Sequence, residues 1–175
     1  MFTFLKPFFS AVFLKFCCVG ASGVIVNLGF LKLFSELFGL HVNLSAALAI
    51  ELSIISNFSV NEIWTFKDRK DVRQRMLTRL GRFHLVSIVG GIVQLAVFVI
   101  ANYVFFILLK TDASLSHHVA TSWFDRWIVA PVLNPPNVGN WIYLSQITGI
   151  GVATTWNFMA NFYWTWKKGS REVSA

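Results

Sequence analysis

The sequence predicts an all-α integral membrane protein with four transmembrane helices, arranged as two repeated parallel hairpins with an interfacial basic helix between them. Three observations predict this fold: the composition, four long apolar segments and an internal repeat. Hydrophobic residues make up 55% of the 175 residues and charged residues 13%. A soluble domain carries roughly 25% charged residues, and one this small could not bury so much apolar surface. The composition therefore excludes disorder, a disulfide scaffold and an ordinary cytosolic enzyme.

Four segments are long enough to cross the hydrocarbon core, which takes about 20 residues of helix. Lys32 and Glu36 lie near the far end of the first segment, where their charges can snorkel to the interface. The segment 110–140 contains proline breakers and is predicted to be a long outer loop. We treat residues 1–175 as a single transmembrane domain. The predicted spans are Phe16–Phe38, Asn43–Trp64, Phe83–Leu109 and Trp141–Trp164.

The distribution of lysine and arginine predicts the orientation. With four spans, 12 of these residues fall on the side of the termini and the central loop, and 3 fall on the other side. Both termini are therefore expected in the cytoplasm, and the membrane is expected to be the cytoplasmic membrane. The net charge of +7 is then explained by topology, and no nucleic-acid partner is expected.

The central loop contains an apolar pattern at helical spacing. Val72, Met76, Leu80 and Phe83 recur every three or four residues, and arginines occupy other positions. This pattern favours a basic helix lying against anionic headgroups. The arginines either only set the topology or also recruit a lipid phosphate.

The chain matches itself at an offset of 100 residues. Six of the eleven residues in the segment 57–67 recur in the segment 157–167. A weaker match aligns the first span with the third, with Lys15 against Arg82 and Phe16 against Phe83. Because each copy would contain an even number of spans, the copies should be parallel and related by an axis along the membrane normal. The six identities are Asn57/Asn157, Phe58/Phe158, Asn61/Asn161, Trp64/Trp164, Thr65/Thr165 and Lys67/Lys167.

Each copy ends in a stripe of polar and interfacial residues. The asparagines at i and i+4 share one helix face with the tryptophan at i+7. The tryptophan marks the membrane interface, and the lysine beyond it lies among headgroups. The amides either form hydrogen bonds between helices or line a polar cleft that accepts sugar hydroxyls and phosphate oxygens.

Two acidic residues break the symmetry of the repeat. Glu51 and Glu62 are eleven residues apart and therefore share a helical face, whereas the second copy has Gly151 and Phe162 at these positions. A carboxylate inside a span is costly and is by default a functional hypothesis. Glu51 is interpreted as a substrate contact or a proton carrier. Glu62 is interpreted as a substrate contact, with pairing to a nearby arginine or lysine as the alternative.

These features resemble those of the GtrA-like membrane proteins. The strongest part is AIELSIISNFSVNEIWTFK, from Ala49 to Lys67, and the second is TWNFMANFYWTWK, which ends at Lys167. The chain also resembles the membrane segment joined to some polyprenyl-phosphate glycosyltransferases. The resemblance covers about residues 14–168, apart from the outer loop.

The resemblance implies a function in cell-surface polysaccharide or glycolipid synthesis. It implies that the chain flips a polyprenyl-phosphate-linked sugar, such as undecaprenyl-phosphate glucose, across the cytoplasmic membrane. A separate glycosyltransferase would load the lipid, and a homo-oligomer in contact with membrane lipids is expected. No catalytic, metal or cofactor-binding motif is found, so the chain is not expected to be an enzyme. The candidate substrate-binding residues are Glu51, Asn57, Asn61, Glu62, Trp64, Lys67, Arg82, Asn157, Asn161, Trp164 and Lys167.

Two alternative functions remain open. The chain could be a non-transporting scaffold that anchors a polyprenyl-phosphate glycosyltransferase. It could also be a small proton-coupled multidrug exporter, which is also built on four spans. Such exporters rely on a carboxylate in the first span, where this chain has only Glu36 near the end. A proton-carrying Glu51 would keep the exporter alternative open.

Overall fold

The computed structural model describes residues 6–71, 74–109, 122–124, 129, 132 and 138–167. Four long helices dominate these residues, in agreement with the predicted all-α class. They are α1, Ala11–Lys32; α2, Val42–Val60; α3, Met76–Leu109; and α4, Trp141–Ala160. A 3₁₀ turn, Lys6–Phe9, precedes α1, and the hydroxyl of Ser10 caps α1 by accepting from the backbone N–H of Phe13.

Within the described residues, α1, α2 and α4 each end in a π-helical turn. These turns are Leu33–Leu37 after α1, Asn61–Thr65 after α2 and Asn161–Thr165 after α4. With their π turns, α1 and α2 run over Ala11–Leu37 and Val42–Thr65, close to the predicted spans. Gly39, with a φ of 63°, lies in the short connection between them. Only glycine adopts this conformation without strain.

Three helices of the described chain are long and apolar enough to cross a membrane: Ala11–Leu37, Val42–Thr65 and Met76–Leu109. The fourth predicted span coincides with α4 and its π turn. Its crossing stays a prediction, because serine, glutamine, threonine and asparagine residues interrupt the apolar sequence. Most of the predicted outer loop lies outside the described residues.

The prediction of a separate interfacial helix is wrong. The described part of that segment is the beginning of α3, which runs uninterrupted from Met76 to Leu109. Leu80 packs against the aromatic core, Phe83 belongs to it, and Arg79 is buried. Two of the three described apolar residues of this pattern therefore contact protein, whereas Met76 is exposed. Val72 and Arg73 lie outside the described residues.

The chain divides into two compact units. One unit contains the chain up to Ser87 together with the chain from Asn157 onward, and the other contains Ile88–Trp156. In the first unit, α1 packs along α2, and its core is aromatic. The core consists of three pairs that the sequence repeat aligns, Phe16/Phe83, Phe58/Phe158 and Phe66/Trp166.

Small residues let helices approach closely within each unit. In the first unit, Ser45, Ala49 and Ser53 form a buried stripe on α2, and the Ser53 hydroxyl donates to the Gly23 carbonyl on α1 at 2.8 Å. In the second unit, a Cβ added at Gly149 on α4 would come within 2.8 Å of the Gln94 carbonyl oxygen on α3. Such small-residue contacts are typical of helix packing in membranes.

Candidate functional site

The two repeat ends, defined as residues 57–67 and 157–167, have the same backbone structure. Each contains a π turn that starts at the second asparagine of its stripe. The backbone N–H of Phe66 donates to the Asn61 carbonyl at 2.8 Å, and that of Trp166 donates to the Asn161 carbonyl at 2.9 Å. Single π turns inside helices are rare and often lie at functional sites. The repeat detected in the sequence is therefore also present in the local backbone.

The repeat ends contact each other through their last aromatic residues. The rings of Phe66 and Trp166 stack with centroids 4.3 Å apart and planes 12° apart. The Phe58 ring also stacks with the Trp166 ring, with the two centroids 5.9 Å apart. All three side chains are fully buried. The contact fixes the C-terminal repeat end against the end of α2.

Glu62 lies at the centre of this contact and is held by two other elements. Arg79 of α3 donates to both carboxylate oxygens, at 3.1 Å from Nε and 2.5 Å from Nη2. The indole N–H of Trp166 donates to Oε2 at 2.7 Å. Both side chains of the Glu62–Arg79 pair are only 7% exposed. Bidentate, charge-assisted bonds of this kind are the strong ones in proteins.

Two arginines tie the connection after α2 to its surroundings. Besides Glu62, Arg79 binds the carbonyl oxygens of Asp71 and Gln74, at 3.2 and 2.5 Å. Arg69 lies over the ring of Phe162, 3.5 Å from its centroid. Burial lowers the pKa of the Arg69 guanidinium, and the nearby Tyr163 opposes this change.

The asparagine amides differ between the two copies. Asn61 and Asn161 are both buried. In the second copy, the hydroxyl of Thr165 donates to Asn161 Oδ1 at 2.8 Å. In the first copy, neither Asn61 Oδ1 nor the Thr65 hydroxyl has a hydrogen-bond partner among the described residues. The first copy therefore retains buried acceptor capacity that the second uses internally.

Asn57 lies against the backbone of α1. A Cβ added at Gly23 would overlap the Asn57 amide, so the absence of a side chain at Gly23 makes room for this asparagine. The oxygen atoms Asn57 Oδ1 and Asn157 Oδ1 are buried without a hydrogen-bond partner in the described part of the chain.

The two tryptophans predicted to lie at the interface each contact a cation, and the two cations occupy aligned positions of the repeat. Lys15 Nζ lies 5.4 Å from the ring centroid of Trp64, and the guanidinium of Arg82 lies 5.4 Å from that of Trp164. Arg82 also donates to the Trp164 carbonyl at 3.2 Å. Both tryptophans are 43% exposed. Lys67 and Lys167 are exposed beyond them, so this end of the first unit presents several cations.

Glu51 has surroundings unlike those of Glu62. Its side chain is 53% exposed, and its Oε1 lies 2.8 Å from Nε2 of His84 on α3. The other ring nitrogen of His84 lies 3.0 Å from the Leu80 carbonyl oxygen. An acid–base pair with an exposed carboxylate and a half-buried imidazole thus lies on helices that are apolar enough to cross a membrane.

The structure separates the predicted site residues into three sets. Glu62 is buried in an ion pair, which was the alternative interpretation, whereas Glu51 is exposed and paired with a histidine. The asparagines are buried or half-buried. The tryptophans lie in the two π turns, Lys67 and Lys167 lie just after these turns, and Arg82 lies against Trp164. A role for any of them in substrate binding stays a prediction. No group of three metal-ligating side chains is found within the described ranges.

Sequence reasoning missed three residues that complete these sites. Arg79 falls three residues after Met76 and four before Phe83, so helical spacing placed it on the apolar face. Trp166 replaces a phenylalanine of the first copy and brings the N–H donor that Glu62 uses. His84, at the beginning of the predicted third span, was not among the predicted site residues, although it is the side chain that contacts Glu51.

Comparisons with known proteins agree with this architecture. Residues 15–166 match the family described as GtrA/DPMS, transmembrane domain. The chain is also 44% identical over 84 residues to a protein named dolichol-phosphate mannosyltransferase from Pyrococcus furiosus. That match covers 48% of this chain and 23% of the relative, so the two proteins share only a small part of the relative's length. Because the family match spans most of its length, the chain belongs to the GtrA/DPMS transmembrane domain family.

Proposed function

We propose that the protein moves a polyprenyl-phosphate-linked sugar across the cytoplasmic membrane for cell-surface polysaccharide or glycolipid synthesis. The observation that carries the proposal is the Glu51–His84 pair on the membrane helices, in which the Glu51 carboxylate is exposed. An ionisable pair facing lipid is costly, so a polar ligand that reaches this face would compensate the cost. Family membership and the name of the matched relative both favour a polyprenyl-phosphate sugar as that ligand.

The substrate combines a long apolar tail with an anionic head rich in hydroxyls. Flipping requires the tail to stay in lipid while the head follows polar groups. We assign the phosphate to the exposed cations Lys67 and Lys167 and to Arg82, because charged donors bind phosphate oxygens strongly. We assign the sugar hydroxyls to the amides and to Glu51. The asparagines in this assignment are Asn57, Asn61, Asn157 and Asn161.

The remaining parts of the proposal follow from the same chemistry. We place the repeat ends and both termini in the cytoplasm, where the excess of lysine and arginine favours them. The chain moves the lipid without catalysing a covalent step, and a separate glycosyltransferase supplies the sugar-loaded lipid. A chain of four helices is small for a sugar-phosphate head, so we propose that it acts as a homo-oligomer.

The direct experiment reconstitutes the purified chain in vesicles that contain a radiolabelled polyprenyl phosphoglucose. A membrane-impermeant oxidant of sugar diols then measures how fast the head reaches the opposite leaflet. Glu51→Gln should slow this movement by about tenfold or more, equivalent to about 1.4 kcal/mol. Glu36→Gln is the matched control, because Glu36 is an exposed glutamate at the far end of α1. Equal rates for the wild type and Glu51→Gln would contradict the site.

A second variant pair tests the amides. Asn61→Leu should slow the movement more than Asn161→Leu, because Asn61 Oδ1 and the Thr65 hydroxyl keep free acceptor capacity, whereas Asn161 Oδ1 already accepts from Thr165. Both variants need the same check of folded protein, because both side chains are buried. Equal losses would indicate that the amides only pack the helices.

A scaffold function is the second candidate, and one observation favours it. The matched relative is named as a transferase and extends well beyond the matched part. A segment similar to this chain can therefore be joined to an enzyme, and this chain could anchor one. Vesicles that contain this chain alone, without a transferase, separate the candidates: movement of the sugar lipid favours translocation, and its absence favours the scaffold.

A further inference from the structure

We propose that Glu51 and His84 form a proton-binding site, and that an anionic lipid-linked head bound at this site is coupled to uptake of a proton. The coupling rests on the proposed function, because it needs the sugar-phosphate head as a ligand. The proton site itself is argued from geometry. His84 would then bind both the proton and the lipid-linked head.

The hydrogen bonds of the His84 ring determine where protons can lie. Nδ1 lies 3.0 Å from the Leu80 carbonyl oxygen, and a carbonyl oxygen only accepts, so Nδ1 carries a hydrogen. Nε2 lies 2.8 Å from Glu51 Oε1. That contact is a hydrogen bond only if one further proton is present, on Nε2 or on Oε1. The pair therefore holds one proton that can leave without disturbing the bond to Leu80.

The other charged groups of the packed elements have partners of their own. Glu62 and Arg79 bind each other, Lys15 on α1 lies over Trp64, and Arg82 lies over Trp164. The further titratable side chains of α1 are Cys17 and Cys18 near Lys15, and Lys32 and Glu36, which pair at its far end. The described titratable groups that follow α2 and α4 are Lys67, Asp68, Arg69, Lys70, Asp71, Arg75, Tyr163 and Lys167. Among the described residues, Glu51 is the ionisable side chain that His84 contacts.

The sign of the coupling follows from charge. With its one shared proton, the pair is neutral overall; without it, the pair is negative. A phosphodiester head is an anion, so its approach favours the protonated form of the pair and opposes the negative form. By linkage, the head must then bind more tightly when the pair is protonated. Release of the head on the other side would favour release of the proton.

The test observes the His84 ring directly. The full chain is labelled with ¹⁵N-histidine, placed in lipid bilayers and followed by solid-state NMR from about pH 5 to pH 8, the range in which histidine titrates. The chain has four histidines, so a His84→Gln spectrum assigns the His84 signals. The probes are polyprenyl phosphoglucose and the uncharged polyprenol, which has the tail without the anionic head.

The proposal predicts that the His84 signals change within this pH range and that polyprenyl phosphoglucose moves the change to higher pH. The uncharged polyprenol should not move it. Glu51→Gln should alter the pH response of His84, and Glu36→Gln should leave it as in the wild type. Because the wild-type comparison with and without the probe needs no variant, it stands even if Glu51→Gln fails to fold.

Three results would overturn the inference: His84 signals that do not change between about pH 5 and 8, a pH response that Glu51→Gln leaves intact, or a response that the sugar lipid does not shift. A chain that moves the lipid in vesicles but shows one of these results loses the proton site and keeps the proposed function. A chain that titrates as expected but moves no lipid loses the proposed function instead.

Discussion

The two glutamates of the α2 segment are eleven residues apart, and the sequence places them on one face, yet they have opposite surroundings. Glu62 is 7% exposed and accepts hydrogen bonds from an arginine and a tryptophan. Glu51 is 53% exposed and contacts His84. Both are additions of the first copy, because the second copy has Gly151 and Phe162 at the matching positions.

The difference shows that the two unrepeated acids occupy unlike environments. Buried and fully bonded, Glu62 joins the end of α2, the beginning of α3 and the C-terminal repeat end. Exposed and paired with an ionisable ring, Glu51 is available to a ligand. We expect variants at Glu62 to change stability first and variants at Glu51 to change function first.

The largest expected effect is the loss of the buried ion pair. Glu62→Leu should destabilise the protein by about 3–5 kcal/mol, because it leaves the Arg79 charge buried and unpaired. The measurement is reversible unfolding in mixed detergent micelles. The double variant Glu62→Leu/Arg79→Leu should recover much of the loss, because a buried pair can often be replaced by apolar residues. A single variant as stable as the wild type would contradict a structural role.

The next effect concerns the indole N–H at the same carboxylate. Trp166→Phe keeps the stacked ring but removes the donor to Glu62, and should cost about 1.5–3 kcal/mol, the usual range for a bond to a charged group. Trp164→Phe is the control, because Trp164 is 43% exposed and only its contact with Arg82 weakens. The two unfolding curves should differ clearly, and coincident curves would show that the indole bond is unimportant.

A smaller effect is expected where α1 meets Asn57. Gly23→Ala places a Cβ on the Asn57 amide and should cost about 1–3 kcal/mol, as overpacking does. Gly20→Ala, on the same helix, meets nothing within 4 Å and should be neutral or slightly stabilising. Unfolding measurements on both variants test the packing, and equal stability would contradict this close approach.

The smallest effect on stability is expected at Glu51. Glu51→Gln should change the free energy of unfolding by less than about 1 kcal/mol, as exposed ion pairs do. The unfolding assay used for Glu62→Leu provides the comparison. A loss as large as that of Glu62→Leu would remove the distinction between the two carboxylates.

The repeat is the part of the structure that the sequence predicted best. Identities such as Asn61/Asn161 and Trp64/Trp164 reflect a shared backbone, which here includes the π turns and the cation–tryptophan pairs. Residues that form the same local structure in both copies keep the same identities, so the repeat can be detected in a single sequence. The aligned pairs Phe16/Phe83 and Phe66/Trp166 likewise pack in one core.

The partners of the unrepeated acids could not be predicted in the same way. Arg79 and His84 lie 17 and 33 residues from the carboxylates they bind, and no period in the sequence connects them. The basic, amphipathic appearance of the segment from Val72 to Phe83 favoured a helix on the membrane surface. Leu80 and Phe83 instead contact the aromatic core, because α3 begins at Met76 and continues into the span.

The most direct test of the account is the rate at which folded Glu51→Gln protein moves polyprenyl phosphoglucose between the leaflets of a vesicle, relative to the wild type. Both proteins are compared at equal amounts of folded chain, with Glu36→Gln alongside. Glu51→Gln should be within about 1 kcal/mol of the wild type in stability and move the lipid about tenfold or more slowly, which corresponds to a barrier higher by about 1.4 kcal/mol. A wild-type rate in well-folded Glu51→Gln would contradict the account.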